Sequence, residues 1–456
     1  MSIQSFDEAI RYLNSFIDLK KGKSYKLNVD SIKRMDLLLQ IMGSPQNKVK
    51  IVHIAGTSGK GSTAYYVSRL LHSCGFKVGL HVSPHLIDAR ERCQIDNEFI
   101  SEEEYVFYVN KLVQYVSLMD VTKLGPPTYF ELHLALAYLV FYEKKVNYAV
   151  TETGCGGWFD GTNAVTREDK ISVITRIGLD HMNLLGNSLS KITLQKAKII
   201  QNNNIVIACW NNISVRSIIE SIVKEKKASL TYVQNGSHYS HIKTVNNGVV
   251  FSYAFNKKIH FENLFLSTLA RYQVENASIA LSTVLLIGRR DLFQISENSI
   301  RQVFKDYTFA GRMEIFEING TQIVLDGAHN PQKMRAFLLS LKKAFPKLQR
   351  NYIVAFKEGK NAKQMIDMIG PTAHSIMMTN FFIDVMDMGH GSQNPLQLSL
   401  EINNILKNRI KTNPNPMKAF EAVLAQTKKN EIIIVTGSLY LISCLYNYIR
   451  EYPRNR

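Results

Sequence analysis

The sequence predicts an α/β protein: a P-loop-containing, doubly wound, mainly parallel sheet domain followed by a smaller Rossmann-like α/β domain. Three observations predict it. Short apolar, β-branched runs alternate with segments of helical period along most of the chain. Polar residues gather just after the strand-like runs, as in NYAVTETG and ISVITRIG, where doubly wound sheets bind ligands. The alternation breaks at YTFAGR, residues 307–312, and then restarts. A chain of 456 residues also exceeds what one core usually supports. The expected domains are therefore 1–308 and 309–456.

Taken in order, residues 5–43 carry apolar positions at helical spacing and read as two helices joined by KGKSYKLNVD. KVKIVHIA is a buried strand. Ala64, Val67, Leu70, Leu71 and Cys74 then recur at helical spacing, with Gly75 as a stop, and KVGLHV is a second strand. SPHLIDARERCQIDNEFIS is loop-rich and leads into helical EEEYVFYVNKLVQYV. PPTYFELHLALAYLVFYEKK reads as a buried helix, its start favoured by Pro126 and Pro127. Residues 203–265 hold a strand, a helix and a strand, then short strands punctuated by Asn and Gly. YQVENASIALSTVLLIG is a helix. Beyond residue 312, TQIVLDGAHNPQKMRAFLLSLKKAF is a strand and helix, and NYIVAF, HSIMMTNF and EIIIVTG are strands.

At 45% hydrophobic and 20% charged residues, the composition is that of a soluble globular protein. The apolar run LHLALAYLVFY is too short for a membrane span and ends in EKK, and the N-terminus has no signal-peptide pattern. A cytoplasmic protein without a membrane partner is expected. Five cysteines with no C-x-x-C pair fit reduced thiols. The net charge of +17 reads as a solvated lysine-rich surface, because KEKK and NKK stretches are scattered and no nucleic-acid-binding motif is present.

HIAGTSGKGST, residues 53–63, departs from the usual phosphate-loop pattern: after Gly59 and Lys60 comes Gly61, so the hydroxyl arrives one place late, at Ser62. Its setting between a strand and a helix still favours phosphate. Glycines let the backbone approach, the helix start offers N–H groups, Lys60 reaches the outer phosphates, and Ser62 or Thr63 suits Mg²⁺.

GTSGKGS, SPHL, TYFE, ETGCGGWFDGTN, IGLDH, QKAK, AGR and LDGAHNP stand in the order and approximate spacing of one family. From about residue 5 to 445 the chain resembles the folylpolyglutamate synthase and dihydrofolate synthase branch of the Mur ligases. The resemblance implies ATP-dependent ligation of L-glutamate to dihydropteroate or a reduced folate through an acyl phosphate. It implies ATP contacts at Ser58, Gly59, Lys60, Gly61, Ser62, Asn276, Arg312 and Asp326. One Mg²⁺ is implied near Ser83 and Glu152, and a second near His181 and Lys196, a histidine ligand also suiting Mn²⁺. Lys196 aligns with a lysine that becomes a carbamate, and Lys60, Lys196 and His329 are the implied catalytic residues. Thr128, Tyr129 and Phe130, with Phe159, Asp160 and Gly161, match the folate-contact segments, although Tyr129 and Phe130 also read as core. Trp158 stands where arginine is common, Gly161 where alanine is usual, and KEGKNAK keeps Lys360 but loses the family's acidic neighbours. Relatives imply a monomer.

Three competing readings remain open to the sequence: a ligase for a cell-wall precursor, a catalytically inactive nucleotide-binding relative, and a nucleic-acid-stimulated ATPase. Gly61 and TYFE disfavour the first, and retention of Lys60, Glu152, His181 and Lys196 disfavours the second. His81 and His85 are spaced like a zinc pair, but Pro84 between them breaks the helix such a pair needs. Cys155 has no partner base that would make it a nucleophile.

Overall fold

The computed structural model describes residues 2–17, 28–119, 124–256, 258–306, 309–382, 391–402, 406 and 408–452. Most of the expected helix joint KGKSYKLNVD, residues 21–27, and position 308 at the expected domain boundary lie outside them.

The first sheet has eight strands in the order β4-β3-β2-β5-β1-β6-β7-β8. They are β1 (Lys50–Ala55), β2 (Val78–His81), β3 (Gln94–Ile95), β4 (Glu98–Phe99), β5 (Tyr148–Glu152), β6 (Ile171–Ile174), β7 (Ile205–Cys209) and β8 (Ser229–Val233). From β2 to β8 the pairing is parallel, and only the short β3 and β4 run antiparallel. β1 and β5 are almost wholly buried, which explains their continuous apolar runs. A second, antiparallel sheet, β9 (Tyr239–Val245), β10 (Gly248–Phe255) and β11 (Ile259–Leu266), accounts for the short strands read from the Asn and Gly punctuation.

Helices cover both faces of the large sheet. α1 (Phe6–Asn14), α2 (Val29–Ile41), α4 (Glu102–Ser117) and α5 (Tyr129–Glu143) share one core. α3 (Lys60–His72), α9 (Gln273–Asp291) and α10 (Glu297–Lys305) pack with the antiparallel sheet in another. α6 (Met182–Leu185), α7 (Leu189–Ala197) and α8 (Ile213–Glu225) complete the set. α5 begins two residues after the prolines: Thr128 is its N-cap in a capping box with Glu131. Among the described residues no helix is long and apolar enough to cross a membrane.

The third sheet runs β12-β13-β17-β14-β15-β16, comprising β12 (Arg312–Ile318), β13 (Thr321–Asp326), β14 (Gln349–Val354), β15 (Ala373–Met378), β16 (Ile410–Thr412) and β17 (Glu431–Thr436). It is parallel except for the β12–β13 hairpin. α11 (Pro331–Ala344), α12 (Ala362–Ile369) and α13 (Pro395–Leu400) cover one face, and α14 (Pro416–Gln426) and α15 (Leu439–Arg450) the other. Leu269 and Ala270 from the first half join the α11 core, and Leu86 joins the α15 core, so the first half contributes apolar surface to both cores of the second.

Phe304 of α10 is fully buried, edge-on to Tyr66 of α3 at 5.7 Å and beside Phe251 of β10 at 6.1 Å. Phe304→Ala is expected to cost about 3–5 kcal/mol, read as a lower urea midpoint; an unchanged midpoint would mean that this junction does not hold the antiparallel sheet in place.

Candidate active site

β1 runs into Gly56-Thr57-Ser58-Gly59, and α3 starts at Lys60 without a side-chain cap, so its first N–H groups face the loop. Contact dictates the glycines. Gly59 has φ of +91°, and a Cβ there would lie 2.2 Å from Asn276 Oδ1; one at Gly56 would lie 1.9 Å from Thr175 Oγ1. A Cβ on Gly61 would sit 3.1 Å from Glu152 Oε2. The glycine that displaces the hydroxyl by one place is therefore what lets the carboxylate at the end of β5 lie against the loop. Ser62 Oγ accepts from Gln273 Nε2 at 3.1 Å, and Asn276 Nδ2 donates to Gln273 Oε1 at 2.8 Å, tying loop to α9.

Glu152 is buried, accepts the Ser83 N–H at 3.1 Å through Oε2, and has Oε1 3.7 Å from Lys60 Nζ. Burial raises its pKa, opposed by Lys60, the Ser83 N–H, Arg312 and Lys333. The structure thus brings Ser83, Glu152 and Lys60 together. A carboxylate oxygen beside a loop with no side chain at Gly61 is hard-cation chemistry and fits Mg²⁺. Among the described residues no group of three or more His, Cys, Asp or Glu is arranged to hold a metal ion.

A second buried carboxylate, Asp180, is the hub between the halves. Asn330 Nδ2 donates to its Oδ2 at 2.9 Å, and Lys360 Nζ donates to its Oδ1. His329 Nε2 stands 3.8 Å and His181 Nε2 4.0 Å from Oδ2. Burial alone would raise the Asp180 pKa, but His181, Lys360, His329 and Lys333 hold it well below the usual range. His181, in a left-handed conformation with φ of +49°, is pushed down to about 3, by burial first and then by Lys360, Lys196 and Lys60 against the pull of Asp180. Gln332 makes a second bridge: it accepts from Ser58 Oγ at 2.9 Å and donates to the Ile177 carbonyl at 3.1 Å.

Lys196 is buried near the end of α7, and its amine is pushed down to about 8, chiefly by burial and by Lys60. Gly157 makes room for it, since a Cβ there would lie 3.2 Å from Lys196 Cα. Asp326, at the end of β13, accepts from the Tyr272 hydroxyl and the Ala328 N–H. Its carboxyl rises to about 6 by burial, against Tyr272 and Arg312. The Arg312 guanidinium lies 5.7 Å over the Phe309 ring. A cleft of about 2380 Å³ runs past Ser83, Phe130, Cys155, Phe159, Asp180, His181 and His329.

Residues 54–284, half of the chain, match the Mur ligase middle domain. The chain belongs to the Mur ligase family. Residues 312–448 of this Mur ligase match the dihydrofolate synthetase C-terminal domain, which puts it in the folylpolyglutamate synthase and dihydrofolate synthase branch. The dihydrofolate synthase/folylpolyglutamate synthase of Bacillus subtilis is 29% identical over 411 residues, covering 90% of this chain and 93% of that protein. The folylpolyglutamate synthase of Lacticaseibacillus casei is 29% identical over 349 residues, 75% of this chain and 77% of that one. The crystal structure of folylpolyglutamate synthase from Thermotoga maritima superposes with a TM-score of 0.79 at 28% identity, covering 99% of this chain and 98% of that one.

In this Mur ligase the expected acceptor residues Thr128, Tyr129, Phe130, Phe159, Asp160 and Gly161 all line the cleft, and several also hold its wall in shape. Phe130 lines the cleft and packs on Gly154, and Tyr129 is buried against His133 with ring centroids 4.5 Å apart. Thr128 caps α5, whose Glu131 is held by both Nε and Nη2 of Arg34. Phe159 stacks on Trp158 at 4.7 Å. Asp160 is buried; it accepts from the Cys155 N–H at 2.8 Å and from the Thr162 hydroxyl at 2.6 Å, shaping the turn after Glu152. Gly161 packs on Glu131, Leu134 and Met35. His81 and His85 are occupied by Arg92, whose carbonyl meets His81 Nδ1 at 2.7 Å and whose Nε donates to His85 Nδ1 at 2.8 Å.

Sequence reading missed Asp180, Gln273, Asn330, Gln332 and Lys333 as members of the site, and it set Lys360 aside. Asp180 and Asn330 lie inside motifs quoted for their histidines, which was a usable signal. Nothing in the sequence pairs Gln332 or Lys333 with residues some 150 to 270 positions away.

The folded chain holds the Asp326 proton up to about pH 6, whereas the ordinary value is 3.8. A raised carboxyl adds stability at low pH and loses it as pH rises through that window, here by about 3 kcal/mol. Asp326→Asn removes the loss, so the parent-minus-variant unfolding free energy should drop by about that much between pH 4 and pH 7; a constant difference would mean the carboxylate is ionised throughout.

Proposed function

We propose that this Mur ligase joins L-glutamate to a folate-type acceptor, dihydropteroate or a reduced folate, at the expense of ATP and through an acyl phosphate. One observation carries the reading: the strand-end Glu152 is packed against a glycine loop bearing Lys60 and accepts the N–H of Ser83, which lines a cleft shared with His329, Asn330 and Lys360. Transfer of a phosphoryl group to a carboxylate crowds negative charge, and these cations offset it. Lys60 holds the outer phosphates; Ser58, Gly59, Gly61 and Ser62 form the loop, with Asn276 behind it. Arg312 and Asp326 meet the nucleotide from the other half. A dependence on ATP is supported by relatives, among them a folylpolyglutamate synthase structure with AMPPCP at 25% identity and a TM-score of 0.81.

Ser83 and Glu152 would hold one Mg²⁺, and His181 with Lys196 a second; bound there, the ions supply charge neutralisation to the phosphates. A carbamate on Lys196 fits its buried amine, because CO₂ adds to the neutral form. The two-wall cleft lets the halves enclose the acyl phosphate and keep water from it. Phe130 and Phe159 offer aromatic faces to a pterin.

The direct test supplies L-glutamate with dihydropteroate or tetrahydrofolate and follows ADP release and product mass. Oxygen label placed in the acceptor carboxylate should reach the released phosphate; label retained wholly in product and acceptor would exclude an acyl phosphate. Lys60→Ala should slow ADP release by about 100-fold or more, and a smaller effect would remove Lys60 from the phosphate site. For Lys196, ¹³C-bicarbonate should produce a carbamate carbon resonance that Lys196→Ala abolishes, and its absence in the parent would remove the carbamate.

A further inference from the structure

Lys333 stands in the first turn of α11, where its backbone N–H is held by Asn330 Oδ1 at 2.9 Å. Its Nζ lies 2.9 Å from His329 Nε2. His329 Nδ1 is 2.8 Å from the Gly327 carbonyl, which can only accept, so Nδ1 carries the proton and Nε2 the lone pair. Lys333 is therefore the donor, spending one ammonium N–H of three. Among the described residues no other hydrogen bond and no carboxylate within salt-bridge distance takes the remaining two.

The surroundings supply charge of the wrong sign for a structural lysine. Lys60, Arg312 and Lys360 all act on Lys333, and Asp180, the acid that opposes them, already accepts from Asn330 and Lys360. Glu152, on the other side, also feels Lys333 and is already set against Lys60 and the Ser83 N–H. Lys333 is half-buried, and an ammonium with unspent donors among cations favours an anion in the space it faces. Lys60 at the start of α3, Arg312 of β12 and Lys333 of α11 thus bring interacting positive charge from three elements.

We propose that Lys333 is a further catalytic residue: an ammonium brought by the C-terminal half that holds the oxygens of the transferring phosphoryl group. The inference rests on the ATP-dependent reading above. In the first step the bond between the γ-phosphorus and the β,γ-bridging oxygen breaks, leaving its electron pair on ADP, and a bond to the acceptor carboxylate oxygen forms. In the second, the glutamate nitrogen bonds to the acyl carbon, the carbon–oxygen bond to phosphate breaks with its pair leaving on phosphate, and the nitrogen's proton passes to solvent. The same oxygens stay on Lys333 through both steps, so charge is met as it develops on ADP's departing partner and again on departing phosphate. Lys333 also makes triphosphate recognition depend on both halves, because Lys60 belongs to the first half and Lys333 to the second.

The test compares the full-length protein with Lys333→Met and Lys333→Arg. Calorimetric titration with Mg²⁺ present measures binding of ADP and of the non-hydrolysable analogue AMPPCP, and ADP release measures turnover. Lys333→Met should weaken AMPPCP about tenfold, leave ADP within about threefold, and slow turnover by about 100-fold or more. Lys333→Arg should recover part of the AMPPCP affinity. Equal weakening of both nucleotides, or turnover within about threefold of the parent, would overturn the proposal and leave Lys333 as a prop for His329. The binding comparison uses no acceptor, so a parent that binds AMPPCP yet releases no ADP with folates and glutamate overturns the acceptor reading alone.

Discussion

Asp180 is the interaction on which the site depends. It lies just past β6, in the first half, yet its oxygens are taken by Asn330 and Lys360 of the second. A buried carboxylate without partners would be too costly to keep charged, and partners from its own half alone would leave the other free to drift. Drawing them from the second half ties the register of the two halves to one ionised group. Gln332, bonded to both Ser58 and the Ile177 carbonyl, repeats the device beside it.

Around that hub the charge balance is deliberately incomplete. Glu152 and Asp180 face Lys60, Arg312, Lys333 and Lys360, so cations outnumber carboxylates where the loop meets α11. The depressed pKa values of Lys196 and Lys333 and the raised one of Asp326 express one condition: burial of ionisable groups beyond what the protein's own partners neutralise. Such an arrangement costs stability in the empty site and is favourable only when an anionic ligand brings the missing charge.

Much of the fold was legible because its signals are local. The strands β1, β5, β6 and β17 are buried apolar runs, and Pro126, Thr128 and Glu131 mark the start of α5 within a few residues of one another. The antiparallel sheet was visible as strands but not as a separate layer, since pairing order leaves no trace in periodicity. The oddity of the loop was visible as Gly61, while its reason, the carboxylate of Glu152 lying 3.1 Å from where a Cβ would stand, was not.

The sequence by itself determined the α/β class, the phosphate loop at the end of β1, and the motif residues at strand ends, because strand and helix periods and glycine turns are read from neighbours along the chain. Only the tertiary structure decided that Asp180 joins the halves, that Asp160 and Thr128 brace the turns they sit in, and that Lys333 donates to His329 among cations from both halves. Those relations are set by through-space electrostatics and burial, which depend on distance in the folded chain and not on separation in sequence.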